Sequence, residues 1–550
     1  MVNWPGGPLR GWYVAVLGMA WASGSAACTA LVFDDAEQCA NDGECARFGA
    51  GSTCGPDGVC VATGIVTGGT GGSGGIPAPR CSDSAECITA LDSPTGRCID
   101  GACVDLLSED CQTITPETVS DVENTIFIGF MGPLSGDSAS FGVPILSAVQ
   151  LAASEIEEVA SGVPVPGSTS RQTLVVVACD SQLDPLRTAR HLAEDIQVPA
   201  IIGPVFSGIT LEVIDEVTIP AGVVTISPSA TSPALTTFQD QGLFWRTVPS
   251  DALQAIPIAD QITALETIIT ATPEVNAGEL KVANVRKGDA YGIGLTTELV
   301  DLVTFNGLSL NENSMNMDFE SFEYDDPSAN EVDYQPIVDG ILRFEPNIIS
   351  LLGTNETINN ILVPVEAGWG SAVRPYYILP DGGQAEELLT AVDASPELAS
   401  RIRGTAPVQE GPNFSSFAFS FETATGNAPS VFTSTAYDAT TLIAFALVAG
   451  EGASPGFAVA NGLTKLSDGT RIDAGPAQLS TGFAALADGG TIDFVGASGD
   501  LDFDPETGEA QSNIDVWCVD PNAGSARFLS TGLVYDATAG MMVGGFTCGN

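Results

Sequence analysis

The sequence is poor in basic residues, above all in lysine and histidine. Among its 550 residues, lysine and arginine together number 18 against 69 aspartates and glutamates, so the formal net charge is −51 at pH 7. A surface this acidic repels phosphate backbones, which argues against nucleic acid as a partner. The same acidity suits a salty habitat, in which charge is screened, or serves only to keep an exported protein soluble.

The chain has a single histidine, His191. It lies in the helical pattern LRTARHLAED, which places it on a helix surface, and nothing near it suggests a Ser-His-Asp triad. No motif favours paired catalytic carboxylates either. We therefore expect no enzyme activity and no cofactor.

Residues Asp500 to Asp504 look like the start of an EF-hand loop. Pro505 stands at the glycine position and Gln511 at the twelfth position, so the pattern fails as a calcium loop. Acidic and apolar residues alternate here as in a half-exposed strand, and the segment 504–508 predicts a turn. A weak calcium site is the alternative.

Long apolar runs are also missing, and no stretch beyond the N-terminus reaches the 18 residues of a membrane span. Residues 1–27 have the pattern of a signal peptide, with Arg10 followed by the apolar segment 11–22. Lipid attachment at Cys28 would account for the odd total of 13 cysteines. Cleavage by ordinary signal peptidase is the alternative, because Ser25 stands where a lipobox usually has leucine. We expect export to the periplasm or cell surface and a lipid anchor in a membrane.

Eight cysteines form two similar groups near the N-terminus. The groups lie in module 1 (28–63) and module 2 (81–111), separated by the glycine-rich linker 64–80, a flexible spacer. Four cysteines in about 22 residues of an exported chain predict two disulfides per module, since so short a segment has no core of its own. Zinc is the competing interpretation, but the C-x2-C spacing it favours is missing. The cysteines are Cys39, Cys45, Cys54 and Cys60, then Cys81, Cys87, Cys98 and Cys103.

From about residue 124 onward, short β-branched runs alternate with amphipathic helical patterns. Such alternation predicts parallel sheets covered by helices, and two successive series predict two α/β lobes with a cleft between them. The predicted strands are 125–132, 173–180, 199–205, 222–229, 243–248, 280–286, 347–354, 374–380 and 401–408. The predicted helices include 143–159, 185–196, 290–304 and 356–366.

Six short motifs occur in order along this region, most of them at the ends of these strands. They are GPLSG (132–136), GPVFSG (203–208), SPSATSPALT (227–236), FWRTVP (244–249), DAYG (289–292) and AYDA (436–439). In this order and spacing they closely resemble the leucine/isoleucine/valine-binding proteins of ABC importers, over roughly 124–545. The resemblance implies a type I periplasmic binding fold, α/β with two Rossmann-like lobes of parallel sheet joined by a hinge. Lobe 1 is expected at about 124–248 and 409–480, and lobe 2 at about 249–408 and 481–550, within a binding domain of 124–550.

The resemblance also implies a ligand site. Ser207 matches a hydroxyl donor to the ligand's α-carboxylate, and helix N-termini favour anions there. Ser229, Ala230 and Thr231 match a segment that offers N–H groups to the carboxylate, and a carbonyl and the threonine hydroxyl to the ammonium. We expect this cleft to hold a carboxylate without basic side chains.

Three further residues match family positions around the ligand. Asp381 matches a glutamate that faces the ammonium from the other lobe. Tyr291 and Phe141 match aromatic residues that cover the ligand from lobe 2 and lobe 1. Each has a plainer explanation: a turn with a helix cap at 229–231, packing at a helix start for Tyr291, a solvated loop acid for Asp381 and a core position for Phe141.

The remaining cysteines depart from the family pattern. Some members bridge the positions that match Cys179 and Phe206, a pairing that phenylalanine excludes here. Cys111 is then an available partner for Cys179 across adjacent strands. Cys518 and Cys548 are left as a plausible pair near the C-terminus.

The resulting expectation is a binding protein that closes on a small amino acid or related zwitterion and delivers it to an ABC permease with a cytoplasmic ATPase. No metal is expected, and the lining should not favour a strongly anionic ligand. A sensory receptor that uses the same cleft is one alternative, and a surface or adhesive protein with a vestigial cleft is another.

Overall fold

The computed structural model describes residues 52–54, 60–62, 78–117, 119, 122–521 and 525–549. The predicted signal peptide, Cys28, Cys39 and Cys45 lie outside these residues. In module 1 the described part is one antiparallel pair of strands, and the bridges predicted there lie outside the described side chains. These strands are β1 (Ser52–Cys54) and β2 (Cys60–Ala62).

Module 2 is a helix packed on a two-stranded hairpin. Its four cysteines form the bridges Cys81–Cys98 and Cys87–Cys103, so the prediction of two disulfides within this module is confirmed. Three of its sulfur atoms also lie close enough together to suggest a metal cluster, but in disulfides they are not thiolate ligands. The elements are α1 (Ser84–Leu91), β3 (Gly96–Ile99) and β4 (Ala102–Asp105).

Module 2 is joined to the binding domain by covalent and polar contacts. Arg187 donates two hydrogen bonds to Asp110, at 2.6 and 2.7 Å, and the available partners Cys111 and Cys179 do form a disulfide. His191 Nε2 lies 3.2 Å from the carbonyl oxygen of Leu106, and its side chain is only 13% exposed. The prediction of a surface histidine is therefore wrong, because module 2 covers this face of the helix.

The chain next builds most of lobe 1. Its buried β-branched runs form parallel strands flanked by helices. The elements are β5 (Cys111–Thr115), β6 (Thr125–Gly132), α2 (Ala139–Ala160), β7 (Val163–Pro164), β8 (Arg171–Asp180), α3 (Pro185–Arg190), β9 (Ala200–Ile202), α4 (Ser207–Val213), α5 (Ile219–Ala221), β10 (Val224–Ser227), α6 (Pro233–Thr236) and β11 (Phe244–Arg246).

Lobe 2 follows with the same alternation of strand and helix. Its elements are α7 (Asp251–Thr270), β12 (Val282–Lys287), α8 (Ala290–Leu302), β13 (Thr304–Phe305), β14 (Leu308–Ser309), α9 (Leu310–Met315), β15 (Phe319–Tyr324), α10 (Gln335–Phe344), β16 (Ile348–Leu352), α11 (Val363–Gly368), β17 (Tyr376–Leu379), α12 (Glu386–Ala394) and β18 (Ile402–Pro407).

The chain then returns to lobe 1 and ends in lobe 2. The returning elements are α13 (Pro412–Thr425), α14 (Thr433–Ala449), α15 (Pro455–Leu463), β19 (Thr470–Asp473), α16 (Pro476–Ala487), β20 (Ile492–Val495), β21 (Phe503–Asp504) and β22 (Glu509–Ala510). The last strands are β23 (Ile514–Asp520), β24 (Arg527–Asp536) and β25 (Met541–Gly544). Short π-helical turns interrupt or extend three helices at His191–Asp195, Ile214–Thr218 and Ile358–Leu362.

Each lobe has its own sheet. The lobe 1 sheet has the order β21-β22-β11-β10-β9-β6-β8-β5, and the lobe 2 sheet has the order β15-β12-β16-β17-β18-β23-β24-β25. Strands β11, β10, β9, β6 and β8 are parallel, as are β15, β12, β16, β17 and β18. All nine predicted strands are present, and the predicted two-lobed α/β class is confirmed.

The chain crosses between the lobes three times, after β11, after β18 and after β22. The third crossing lies later than expected. The segment 503–510 was predicted to belong to lobe 2, but β22 pairs with β11 in the lobe 1 sheet. The alternation of apolar and acidic residues predicts the strand but not the sheet to which the hairpin belongs.

Helix α2 is the one helix of the described chain that is long and apolar enough to cross a membrane, judged by length and composition alone. Its buried face belongs to the main apolar core, with Ile145, Val149 and Ile156 fully covered. It packs against α14, which is buried along nearly its whole length. The pair packs against one face of the lobe 1 sheet.

Candidate functional site

The predicted site residues come together where the strands of both lobes end. Five of them line one cavity between the lobes, as expected from the carboxyl ends of parallel strands facing each other. The cavity is lined by Phe141, Val205, Phe206, Ser207, Ser229, Lys287, Asp289, Tyr291, Thr354, Asp381, Gly382 and Phe432. Its walls stand close together and leave about 20 Å³ of water-accessible space, little more than one water molecule needs.

Ser207 and Ser229 form the lobe 1 side of the cavity. Ser207 is the first residue of α4, and its hydroxyl oxygen accepts a hydrogen bond from the backbone N–H of Ser232 at 3.2 Å. Ser229 follows β10, and its hydroxyl donates to the carbonyl of Val205 at 2.8 Å. Both side chains are therefore fixed by the loops that follow β9 and β10.

Ala230 and Thr231 are not among the residues that line the cavity. The N–H of Ala230, expected to face a carboxylate, instead donates to Ser227 Oγ at 3.0 Å. Arg246 holds this loop from behind, donating to the carbonyls of Ala230 and Ser232 at 3.1 and 3.0 Å. Ser227, at the end of β10, thus accepts the hydrogen bond that the Ala230 N–H is expected to donate to a ligand carboxylate.

The Thr231 hydroxyl contacts the carboxylate of Asp251, which does not line the cavity. It donates to Asp251 Oδ2 at 3.0 Å, and the N–H of Asp251 donates back to the carbonyl of Thr231 at 2.9 Å. Asp251 is fully buried at the start of α7, directly after the first crossing between the lobes. Thr231 therefore ties the lobe 1 loop to an acidic group at the hinge.

Tyr291 and Asp381 form the lobe 2 side. The Tyr291 hydroxyl donates to Asp381 Oδ1 at 2.5 Å, and the N–H of Gly382 donates to the same oxygen at 2.7 Å. Burial raises the pKa of Asp381 to about 6, although these hydrogen bonds oppose the shift. Burial, followed by the charges of Asp381 and Asp251, raises the pKa of Tyr291 well above its ordinary value.

Asp381, which lines the cavity, and Asp251 and Gln254, which do not, each have a buried oxygen atom without a hydrogen-bond donor in the described chain. Asp251 Oδ1, Asp381 Oδ2 and Gln254 Oε1 have no hydrogen-bond partner in the described part of the chain. Burial and the charge of Asp381 raise the pKa of Asp251 well above its ordinary value. We call Asp251, Gln254 and Asp381 the acceptor floor. Its free acceptors match a ligand group that only donates.

Lys287 contradicts the expectation of a cleft without basic side chains. It ends β12 and lines the cavity, 97% buried. Its Nζ lies 3.2 Å from Asp289 Oδ2, 3.0 Å from Asp326 Oδ1 and 5.1 Å from the centre of the Phe206 ring. Burial alone would lower the pKa of Lys287, but the charges of Asp289, Glu356 and Asp326 outweigh this effect and raise the pKa above its ordinary value. It is a charged lysine already paired with carboxylates.

The family-level comparison agrees with this geometry. The model of a periplasmic binding protein family matches residues 125–523. The chain belongs to the periplasmic binding protein family. Its predicted resemblance to the branched-chain amino-acid-binding type is confirmed, and the family implies a location outside the cytoplasm, in keeping with the disulfides. A search of curated proteins finds no match to the sequence of this binding protein.

Several solved binding proteins share its fold. The branched-chain amino acid transporter substrate-binding protein LivJ from Streptococcus pneumoniae, solved with isoleucine, is 21% identical, with a TM-score of 0.53 over 74% of this chain and 99% of that one. The leucine-binding protein LivK from Thermotoga maritima is 19% identical, with a TM-score of 0.53 over 74% and 98%. A solute-binding protein from Rhodopseudomonas palustris, solved with 3,4-dihydroxybenzoic acid, is 18% identical, with a TM-score of 0.54 over 75% and 98%. The likeness at these identities establishes the fold of this periplasmic binding protein and not its ligand.

Sequence reasoning missed Asp251, Gln254 and Lys287. Ser250 and Asp251 have the pattern of an ordinary helix start, in which Ser250 caps the helix, and this pattern conceals the role of the acid in the site. Lys287 could have been suspected, since it is one of only three lysines and directly follows a predicted strand.

The stretch that resembles a calcium loop forms a strand and a turn, as predicted. β21 and β22 pair as a hairpin, and the N–H of Gly508 donates to the carbonyl of Asp504 at 2.8 Å. Gly508 has a φ of +66°, and a Cβ there would lie 2.3 Å from the carbonyl oxygen of Phe244. The segment is thus a structural turn beside β11.

Proposed function

We propose that this protein captures a small amino acid or related zwitterion between its lobes and delivers it to an ABC permease and its ATPase. The acceptor floor is the observation that supports the proposal most strongly. Three buried oxygens have no hydrogen-bond partner among the described residues, and two of them belong to carboxylates. A primary ammonium has three donors, one positive charge and no acceptor, which suits these oxygens better than any neutral group does.

The opposite end of the ligand would face lobe 1. Ser207 supplies a hydroxyl group on lobe 1, and Lys287 of lobe 2, already paired with Asp289 and Asp326, is the cation among the residues that line the cavity. An amino acid's carboxylate fits this side, and its ammonium fits the acceptor floor. Phe141, Phe206 and Phe432 then enclose the carbon skeleton with apolar surface.

The residues that would bind the ligand are divided between the two lobes, so ligand binding favours closure of the lobes. Ser207 and Ser229 belong to lobe 1, and Tyr291 and Asp381 belong to lobe 2. A ligand that binds both sets stabilises the closed arrangement, because the open arrangement separates them. The nearly filled cavity means that the lobes must part before an amino acid enters.

The experiment is thermal unfolding of the full mature chain against a panel of amino acids, amides and aromatic acids. The protein is first unfolded and refolded to strip any bound ligand. A ligand at 100 times its dissociation constant adds about 2.7 kcal/mol to the folded state. A shift by amino acids that is absent with the matching desamino acids supports the proposal. A shift by aromatic acids alone, or by no compound, would rule out this ligand class.

The membrane anchor is a separate part of the proposal, supported by the pattern of residues 1–28. We propose that Cys28 bears a lipid that tethers the protein on the outer side of a membrane. Mass spectrometry of protein isolated from its native membrane should show a diacylglyceryl group on Cys28. A mature N-terminus without lipid would disprove the tether and leave the binding proposal intact.

A further inference from the structure

The loop between β6 and α2 lies at the lobe 1 edge of the cleft. We call residues 133–138 the rim loop. The rim loop leads into the first turn of α2, where Phe141 lines the ligand cavity. It also contacts lobe 2 directly, because the carbonyl of Asp137 accepts a hydrogen bond from Asn355 Nδ2 at 2.9 Å. The conformation of the rim loop therefore affects both the cavity wall and a contact between the lobes.

The end of β8 holds the rim loop in place. Asp180 is the last residue of β8, and its Oδ1 accepts a hydrogen bond from the N–H of Leu134 at 3.0 Å. The preceding residue, Pro133, packs tightly against the start of α2. A Cβ at Gly142 would lie only 1.9 Å from the carbonyl oxygen of Pro133. A shift of the Asp180 carboxylate would therefore be passed through the rim loop to the start of α2.

Module 2 contacts Asp180 through its last residues. The carbonyl of Asp110 accepts a hydrogen bond from the N–H of Asp180 at 2.7 Å. The Asp110 side chain is 2% exposed and accepts the two hydrogen bonds from Arg187. The next residue of module 2, Cys111, is bonded to Cys179, which directly precedes Asp180. Module 2 is thus attached to the end of β8 by a disulfide, a backbone hydrogen bond and a buried ion pair.

Module 2 lies outside the segment that matches the family, yet it contacts the residue that holds the edge of the cleft. We propose that module 2 positions the rim loop, and that Asp180 is the positioning residue through which it acts. The cysteine-rich module is then part of the frame of the ligand site. For ligand affinity the inference rests on the proposed function, whereas the mobility of the rim loop can be measured without a ligand.

Hydrogen–deuterium exchange of the full mature protein tests the inference without a ligand. Arg187→Ala leaves the buried carboxylate of Asp110 without two donors, so the end of module 2 should loosen. We expect peptides that cover the rim loop to exchange about tenfold faster. Arg190→Ala is the matched control, because Arg190 lies on the same helix but pairs with Glu216 of lobe 1, and it should leave the exchange unchanged. Unchanged exchange in Arg187→Ala, or an equal increase in both variants, would overturn the inference.

A pair of substitutions at Asp180 tests the effect on binding, with leucine as the probe. Asp180→Ala removes the acceptor of the Leu134 N–H, whereas Asp180→Asn keeps an oxygen acceptor there. In calorimetric titrations of refolded full mature protein, we expect Asp180→Ala to weaken leucine about fivefold and Asp180→Asn to bind nearly normally. Unchanged affinity in Asp180→Ala, or equal losses in both variants, would overturn the role of Asp180. Absence of leucine binding to the unaltered protein would count against the proposed function, and the exchange experiment would then decide the inference.

Discussion

At the scale of single residues, the account depends on Asp381 and its neighbour Asp251. Both are buried, and each has an oxygen without a donor in the described chain. The pKa of Asp381 is raised to about 6 chiefly by burial, so without a ligand the pair favours holding a proton. In the proposed function, a ligand ammonium would replace that proton and supply the missing donors.

Replacing Asp381 by asparagine tests this directly. We expect Asp381→Asn to weaken amino-acid binding by about 30-fold or more, because a buried charge pair loses one partner. Calorimetric titration measures the effect, and circular dichroism checks that the fold is kept. Asp260→Asn, an exposed acid on α7, is the control and should bind normally. Unchanged affinity in Asp381→Asn would exclude the floor as the ammonium site.

At the scale of elements, one predicted motif proves to be structural. The AYDA motif lies in α14, where Asp438 Oδ1 accepts from the N–H of Ala497 at 2.8 Å. Asp438 Oδ2 accepts from the N–H and the hydroxyl of Ser498, at 2.7 and 2.6 Å. The side chain is fully buried and joins α14 to the loop after β20. It stabilises lobe 1 without facing the cavity.

We expect Asp438→Ala to lower the free energy of unfolding by about 3 kcal/mol, because it leaves buried donors unpaired. Urea denaturation monitored by tryptophan fluorescence measures the change. The exposed residue Asp488 of the same lobe gives a matched control, and Asp488→Ala should be nearly neutral. A loss in Asp438→Ala no larger than in the control would contradict this role.

The disulfide Cys111–Cys179 joins module 2 to the lobe 1 sheet across a sequence separation of 68 residues. Replacing both cysteines by alanine should lower the free energy of unfolding by about 4 kcal/mol in the chain-entropy model. Removing Cys518–Cys548, with a separation of 30, should cost slightly less. Denaturation of the two variants gives the comparison. A loss below about 1 kcal/mol for the first pair would mean that the polar contacts and the apolar packing around Leu106 hold module 2 in place without the disulfide.

At the scale of the whole molecule, several buried carboxylates make stability depend on pH. Burial raises the pKa of Asp381 and Asp438 to about 6 and that of Asp515 to about 7. The folded protein therefore binds more protons than the unfolded chain between about pH 4 and 7. Stability must then fall as pH rises through these values, because ionisation is easier in the unfolded state.

We expect the ligand-free protein to gain a few kcal/mol of unfolding free energy between pH 8 and pH 5. Denaturant titrations at unit steps of pH measure the trend. Asp515→Asn should reduce the change of unfolding free energy with pH near pH 7, where Asp515 titrates in the folded state. Maximal stability at pH 8 in the unaltered protein would refute the assignment.

The sequence predicted the strands, their parallel class and five residues of the cavity, because strand-end motifs are local and the sheet topology brings them together. It could not reveal Asp251, whose local pattern is that of a helix start, or the pairing of Lys287 with residues two and 39 positions later. The sequence assigned the hairpin 503–510 to the wrong lobe and predicted that His191 lies on the surface. Both errors have the same cause. Both depend on which distant surface covers a locally amphipathic segment.

The most direct test of the central claim is a crystal structure of the refolded protein with the amino acid that binds most tightly. The account predicts the ligand between the lobes, with its ammonium within hydrogen-bond distance of Asp381 and Asp251 and its carboxylate towards Ser207. A ligand bound in the reverse orientation, or bound outside the cavity, would contradict it.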